Sequence, residues 1–69
     1  MYIKSGFEFL VTKNNYIGHI LYIDNDNDAA ICMFFDDKGN LFKICTVYVQ
    51  TIKNNLKDGT YKEIKRKWG

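Results

Sequence analysis

The stretch "YIGHILYIDNDNDAAICMFF", residues 16–35, decides the fold. At its centre Asp24, Asp26 and Asp28 alternate as the first three ligands of an EF-hand calcium loop do. That loop also needs a Gly at its sixth position for a sharp turn and a bidentate Glu at its twelfth. Counted from Asp24, those positions hold Ala29 and Phe35. The flanks, "YIGHILYI" and "AAICMFF", are rich in Ile, aromatic and small apolar residues, so they read as strands where an EF-hand demands helices. Two strands joined by a polar loop follow, with Asn and Asp hydrogen-bonding their own backbone and tolerating left-handed conformations. No metal is expected at the three aspartates.

The rest of the chain extends this pattern outward. "GFEFLVTK" alternates Phe7, Phe9 and Val11 with Glu8, Leu10 and Thr12, the period of a half-buried strand, and Asn14 and Asn15 turn it. Within "YIGHILYID", Ile20 and Ile23 cannot share one face of a flat ribbon, and Gly18 is the expected place for a bend or bulge. "DAAICMFF" is apolar on both faces, which predicts cover on both sides or a curled sheet. "DDKGN" is the strongest hairpin signal, with Gly39 placed to take a positive φ. If Lys38 and Gly39 form a two-residue loop, position 37 pairs with 40 and Cys32 would face Cys45. "LFKIC" is then a fourth strand and "VYVQTI" a fifth, the latter rich in β-branched residues. Five short strands suggest a mainly β chain curled into a small barrel over residues 1–56, because curling removes edges that a flat sheet leaves open.

Residues 57–69 read differently, as a basic helix or tail docked on the same domain. Thr60 and Glu63 have capping-box spacing, and Tyr61, Ile64 and Trp68 fall on one face of a helix. Lys65, Arg66 and Lys67 crowd the end that the helix dipole favours for cations. A strand is the rival, putting Tyr61, Glu63, Lys65 and Lys67 on one face. Charge divides at the same place. Residues 1–52 carry four Lys against six acids, and residues 53–69 carry six Lys and Arg against two, so net −2 sits beside net +4.

The 69 residues make one domain, and a chain of this size buries only about 60% of its unfolded surface. An aromatic share of 16% and oligomerisation are the available aids to stability. Cys32 and Cys45 have no CxxC spacing and no further partners for a zinc site, and they are expected as buried thiols packing like small hydrophobes. "MYIKSGFEF" holds no apolar run long enough for a signal peptide, and no segment is long enough to span a membrane, which predicts a reduced, cytoplasmic protein.

"IGHILYIDNDNDAAI", residues 17–31, resembles the first Sm motif of Sm and Sm-like RNA-binding proteins: Gly18, hydrophobic Ile20 and Ile23, Asp24, a variable loop, Asp28, and the apolar run Ala29 to Ile31. "ICTVYVQTI", residues 44–52, is similar to the frame of the second motif through Ile44, Val49 and Ile52. The resemblance implies a small SH3-like barrel of five strands and ring assembly through strand edges, a homo-oligomer. It departs at the RNA site. Asp28 stands where the family presents an Asn to a base, and Cys45 and Thr46 stand where the second motif supplies Arg-Gly or Lys-His. A carboxylate repels phosphate, and neither Cys nor Thr brings the positive charge that drives counterion release.

Catalytic chemistry has little foothold. His19 lies between apolar neighbours, where a structural or surface imidazole is expected. With no nucleophile motif, phosphate-cradling Gly loop or metal cluster, no enzyme and no cofactor are expected. Binding is the better expectation. Lys53, Lys57, Lys62, Lys65, Arg66 and Lys67, interleaved with Tyr61 and Trp68, suit phosphate contacts plus base stacking, and equally the solvated face of an element whose aromatics are core. With Asp24, Asp26 and Asp28 as an acidic loop at the other pole, the chain would orient a partner more than attract any polyanion. Two classes stand: a nucleic-acid or nucleoprotein binder for RNA or single-stranded DNA, and a protein-binding inhibitor or adaptor, phage or mobile-element encoded, acting on a host protein.

Overall fold

The computed structural model describes residues 3–65. The protein is mainly β, with strands β1 (Glu8–Val11), β2 (Tyr16–Asp24), β3 (Ala29–Phe35) and β4 (Leu41–Tyr48), then helix α1 (Val49–Asp58) and strand β5 (Tyr61–Glu63). All five strands join one antiparallel sheet in the order β4-β3-β2-β1-β5. Among the described residues no ladder joins β4 to β5, so the sheet is open, and α1 packs against both of these strands.

The core is the inner face of the sheet under α1. Phe9, Ile20, Ala30, Cys32 and Phe34 meet Val49 and Ile52, with Val11, Ile23, Cys45, Val47, Leu56 and Tyr61 around them. The parity conflict between Ile20 and Ile23 is resolved by a register shift between Ile20 and Tyr22, not at Gly18. The extra residue, Leu21, turns both isoleucines inward. The displaced backbone is satisfied by the N-terminal segment: the Ser5 hydroxyl donates to the Leu21 carbonyl at 2.6 Å, and the Gly6 N–H to the Ile20 carbonyl at 2.8 Å. Gly18 has another task. It faces Phe9 across the β1–β2 ladder, where an added Cβ would collide with the Phe9 ring.

The β3–β4 hairpin reaches the expected Cys32–Cys45 pairing by a different route. Its loop has three residues: the Gly39 N–H donates to the Asp36 carbonyl at 3.0 Å, and the Asp36 N–H to the Asn40 carbonyl at 2.9 Å. Asp36 Oδ1 also accepts the N–H groups of Lys38 and Asn40, each at 2.9 Å, while Gly39 takes φ 86°. The longer loop moves the register by one, and the irregularity between Phe34 and Phe35, opposite Phe42, moves it back. Both thiols are free, Cys32 buried and Cys45 half-buried.

Two expected elements exchange places. "VYVQTI" is not a strand: β4 ends at Tyr48 and α1 begins at Val49. Val49, Ile52 and Leu56 fall at i, i+3 and i+7 and dock on the core, which outweighs the β preference of Val49, Thr51 and Ile52. No side chain caps the start of α1, but the Val49 N–H donates to the Asp28 carbonyl at 2.8 Å. Gly59, at φ 88°, ends it. Residues 61–63 are then a strand and not the start of a helix, since β1 has a second edge to satisfy and β5 pairs there through Phe9–Glu63, Leu10–Lys62 and Val11–Tyr61. The Thr60 N–H donates instead to Asp58 Oδ1 at 2.8 Å, so the expected capping box does not form. Arg66, Lys67 and Trp68 of the expected helix lie outside the described residues.

Candidate functional site

The outer face of the sheet exposes several large apolar side chains. The registers of β2, β3 and β4 align Tyr22, Ile31 and Thr46 in one row, His19, Met33 and Ile44 in the next, and Ile17, Phe35 and Leu41 in a third. Tyr22, Ile44 and Tyr48 are 56%, 57% and 66% exposed on this face. Of the two arrangements that the pattern of β3 allows, cover on both sides or a curled sheet, the first is absent among the described residues. Ile31, Met33 and Phe35 are half-buried by their neighbours in the sheet, and α1 lies on the other face.

At one end this face sinks into an open depression of about 520 Å3, lined by Tyr22, Asp24, Asn27, Ala29, Ile31, Thr46 and Tyr48. Apolar Ala29 and Ile31 line it beside the polar groups of Thr46, Asp24 and Asn27, the last two from the acidic loop. Asp24 organises that loop: Oδ1 accepts the Asp26 N–H at 3.1 Å and Oδ2 accepts the Asn27 side-chain amide at 2.7 Å. Asp28 takes the left-handed φ of 52°. Asp26 and Asp28 are exposed, and among the described residues no cluster of carboxylate, thiol or imidazole groups is arranged to hold a metal. Tyr22 and Tyr48 are not among the residues that the sequence motifs single out. The signal available was parity, since β4 places Thr46 and Tyr48 on the face opposite Cys45 and Val47.

The basic residues lie elsewhere. Lys53 and Lys57 are exposed on α1, and Lys62 and Lys65 are exposed on and just after β5. Tyr61 is not displayed beside them. Its ring stacks on Phe9, with centroids 4.4 Å apart and planes 23° apart, and burial pushes its hydroxyl above the usual tyrosine value while a hydrogen bond with the Asn55 side chain opposes that rise. Arg66, Lys67 and Trp68 again lie outside the described residues.

A second depression, about 450 Å3, is lined by Lys4, Ser5, Gly6, Phe7, Glu8, His19, Glu63, Ile64 and Lys65. His19 pairs across the ladder with Glu8, its Nδ1 standing 3.4 Å from Glu8 Oε2. A carboxylate orients the ring as a general base requires. Ser5, the one hydroxyl in the lining, donates to the Leu21 carbonyl and is not paired with the imidazole.

No family model matches the chain, and neither a curated protein nor a solved structure matches it.

Proposed function

We propose that this protein is a non-enzymatic binding module that takes a protein partner in the depression between Tyr22 and Tyr48. The observation that carries the reading is the uncovered outer face, where two exposed tyrosines flank a depression of mixed apolar and polar lining that meets the acidic loop at Asp24. Tyrosine is the side chain that most often anchors such contacts, because it brings a large rigid area and a polar tip at low entropic cost. The acidic rim selects an apolar segment flanked by Lys or Arg. An SH3-like, Sm-like frame is part of this proposal. What supports it is element order alone: a four-strand meander, a short helix, and a last strand returning to the first.

The test is selection from a peptide-display library on the full chain. Enriched sequences should carry an apolar anchor beside a basic residue, and their affinity should fall at least tenfold for Tyr22→Ser with Tyr48→Ser. Binders indifferent to both changes would remove the site.

A second reading has its own observation. Lys53, Lys57, Lys62 and Lys65 are all exposed on the packed pair α1 and β5 or just beyond it, which supports phosphate contacts by RNA or single-stranded DNA. It predicts binding at low salt that weakens steeply with ionic strength and is lost when the four lysines become Ala. It needs neither Tyr22 nor Tyr48.

A further inference from the structure

We propose that the protein forms a closed dimer in which β4 pairs antiparallel with β4 of a second copy. The two edges of the sheet are unequal. β5 is three residues long and carries exposed Lys62 and Glu63, so it is short and charged, as guarded edges are. β4 is eight residues long, contains no Pro, and displays Leu41, Phe42, Ile44 and Tyr48 at 49%, 49%, 57% and 66% exposure. Its one charged residue is Lys43, whose ammonium lies 5.7 Å from the centre of the Phe34 ring on the inner face, a single guard on a long edge that is otherwise uncharged. One row of β4 backbone donors and acceptors pairs with β3, and the other row has no strand beside it among the described residues.

Length decides which copy's edge fits. Joining β4 of one copy to β5 of the next sets eight residues against three and leaves most of the β4 row unpaired. Joining β4 to β4 matches the lengths and closes on itself, so it gives a dimer and not a ring. Cover of Leu41, Phe42 and Ile44, with Tyr48 left open in its depression, amounts to about 300 Å2 of side chain per copy, so the paired backbone carries much of the contact and the interface lies at the weak end of the size range. A two-fold axis normal to the sheet keeps each outer face on the same side, so the two Tyr22–Tyr48 depressions open in one direction and a partner with two anchors gains avidity. The dimer uses the backbone edge and does not depend on what occupies the depression.

Sedimentation velocity on the full chain from about 1 to about 500 μM decides it. The expected species has the mass of two 8.1 kDa chains at the upper end. Ile44→Lys, a change at an exposed position, should raise the dissociation constant at least tenfold with the far-UV circular dichroism unchanged. Should that variant misfold, Ile44→Cys and Thr46→Cys serve instead, each in a Cys45→Ser background that leaves only the fully buried Cys32: at least one should cross-link to its own copy under mild oxidation, and Lys62→Cys in the same background should not. A monomer throughout, a ring of more than two copies, or cross-linking through position 62 overturns the proposal. None of these results alters the peptide-binding test of the Tyr22–Tyr48 site.

Discussion

The Phe9 ring occupies the space that a side chain at residue 18 would fill, and Gly18 is the residue directly across the ladder from it. Phe9 is fully buried and touches Phe7, Phe34 and Tyr61, so the ring has nowhere to go. Gly18→Ala should therefore destabilise the fold by about 2 kcal/mol, the cost of overpacking a filled core. For a domain of this size that lowers Tm by about 10 °C. Chemical denaturation checks it, and the double variant with Phe9→Leu should recover part of the loss. An unchanged midpoint for Gly18→Ala would show that the ring is free to move.

Much of this fold could be read from the chain, and what escaped did so for physical reasons. The alternation around Phe9, the loop at Asp24 and the turn at Gly39 are local signals, and β1, β2 and β3 follow from them. Cys32 faces Cys45 although the two-residue loop that would set that register does not form, because a three-residue turn and the irregularity opposite Phe42 cancel in register. The exchange of helix and strand after Tyr48 is a tertiary effect. Val49, Thr51 and Ile52 favour a strand locally, yet spacing through Leu56, Lys57 in the last turn and Gly59 beyond it carried a helix signal that β-branching obscured. Residues 61–63 pair where β1 lacks a neighbour, a need that no local pattern records. The tyrosine-flanked depression was hidden because Tyr22 and Tyr48 come from strands separated by β3, and only the Leu21 bulge puts Tyr22 on that face.

The stack of Tyr61 on Phe9 makes β5 a part of the core and not an appended tail. Tyr61→Phe should keep the stacked ring and lose only the Asn55 contact, costing about 1 kcal/mol. Tyr61→Ala should cost about 3 kcal/mol. Native-state hydrogen exchange gives the sharper reading. The Ile64 amide, which donates to the Glu8 carbonyl at 3.0 Å, should be protected in the wild type and exchange early in Tyr61→Ala. Fast exchange there in the wild type would mean that β5 does not hold to β1.

Stability should fall in alkali. Burial, aided by the neighbouring Cys45 thiol, raises the Cys32 pKa from its ordinary 9.0 to about 11. Between those values the native state holds a proton that the unfolded chain has released, so the contribution is complete below about pH 9 and is lost as pH rises through about 11. Tyr61, shifted upward from 10.0 by burial, acts in the same direction. Urea midpoints measured from about pH 8 to about pH 11 should decline, and Cys32→Ala, though less stable throughout, should show a shallower decline. A flat profile would mean that water reaches the thiol in the native state.

Asp28 joins the acidic loop to the helix, and its backbone does so, not its carboxylate. The residue sits at φ 52° while its carbonyl accepts the Val49 N–H at 2.8 Å, the hydrogen bond that stands in for a missing cap on α1. Asp28→Gly removes the charge but eases the left-handed conformation, so it should leave stability within about 0.5 kcal/mol of the wild type. Asp28→Val forces a β-branched side chain into the same conformation and should cost about 2 kcal/mol, read by urea denaturation. Calcium should shift the midpoint of neither variant nor the wild type, because Asp24 already spends both carboxylate oxygens on Asp26 and Asn27. Equal losses for the Gly and Val variants would transfer the role to the carboxylate, and a calcium-dependent midpoint in the wild type alone would make the loop a cation site after all.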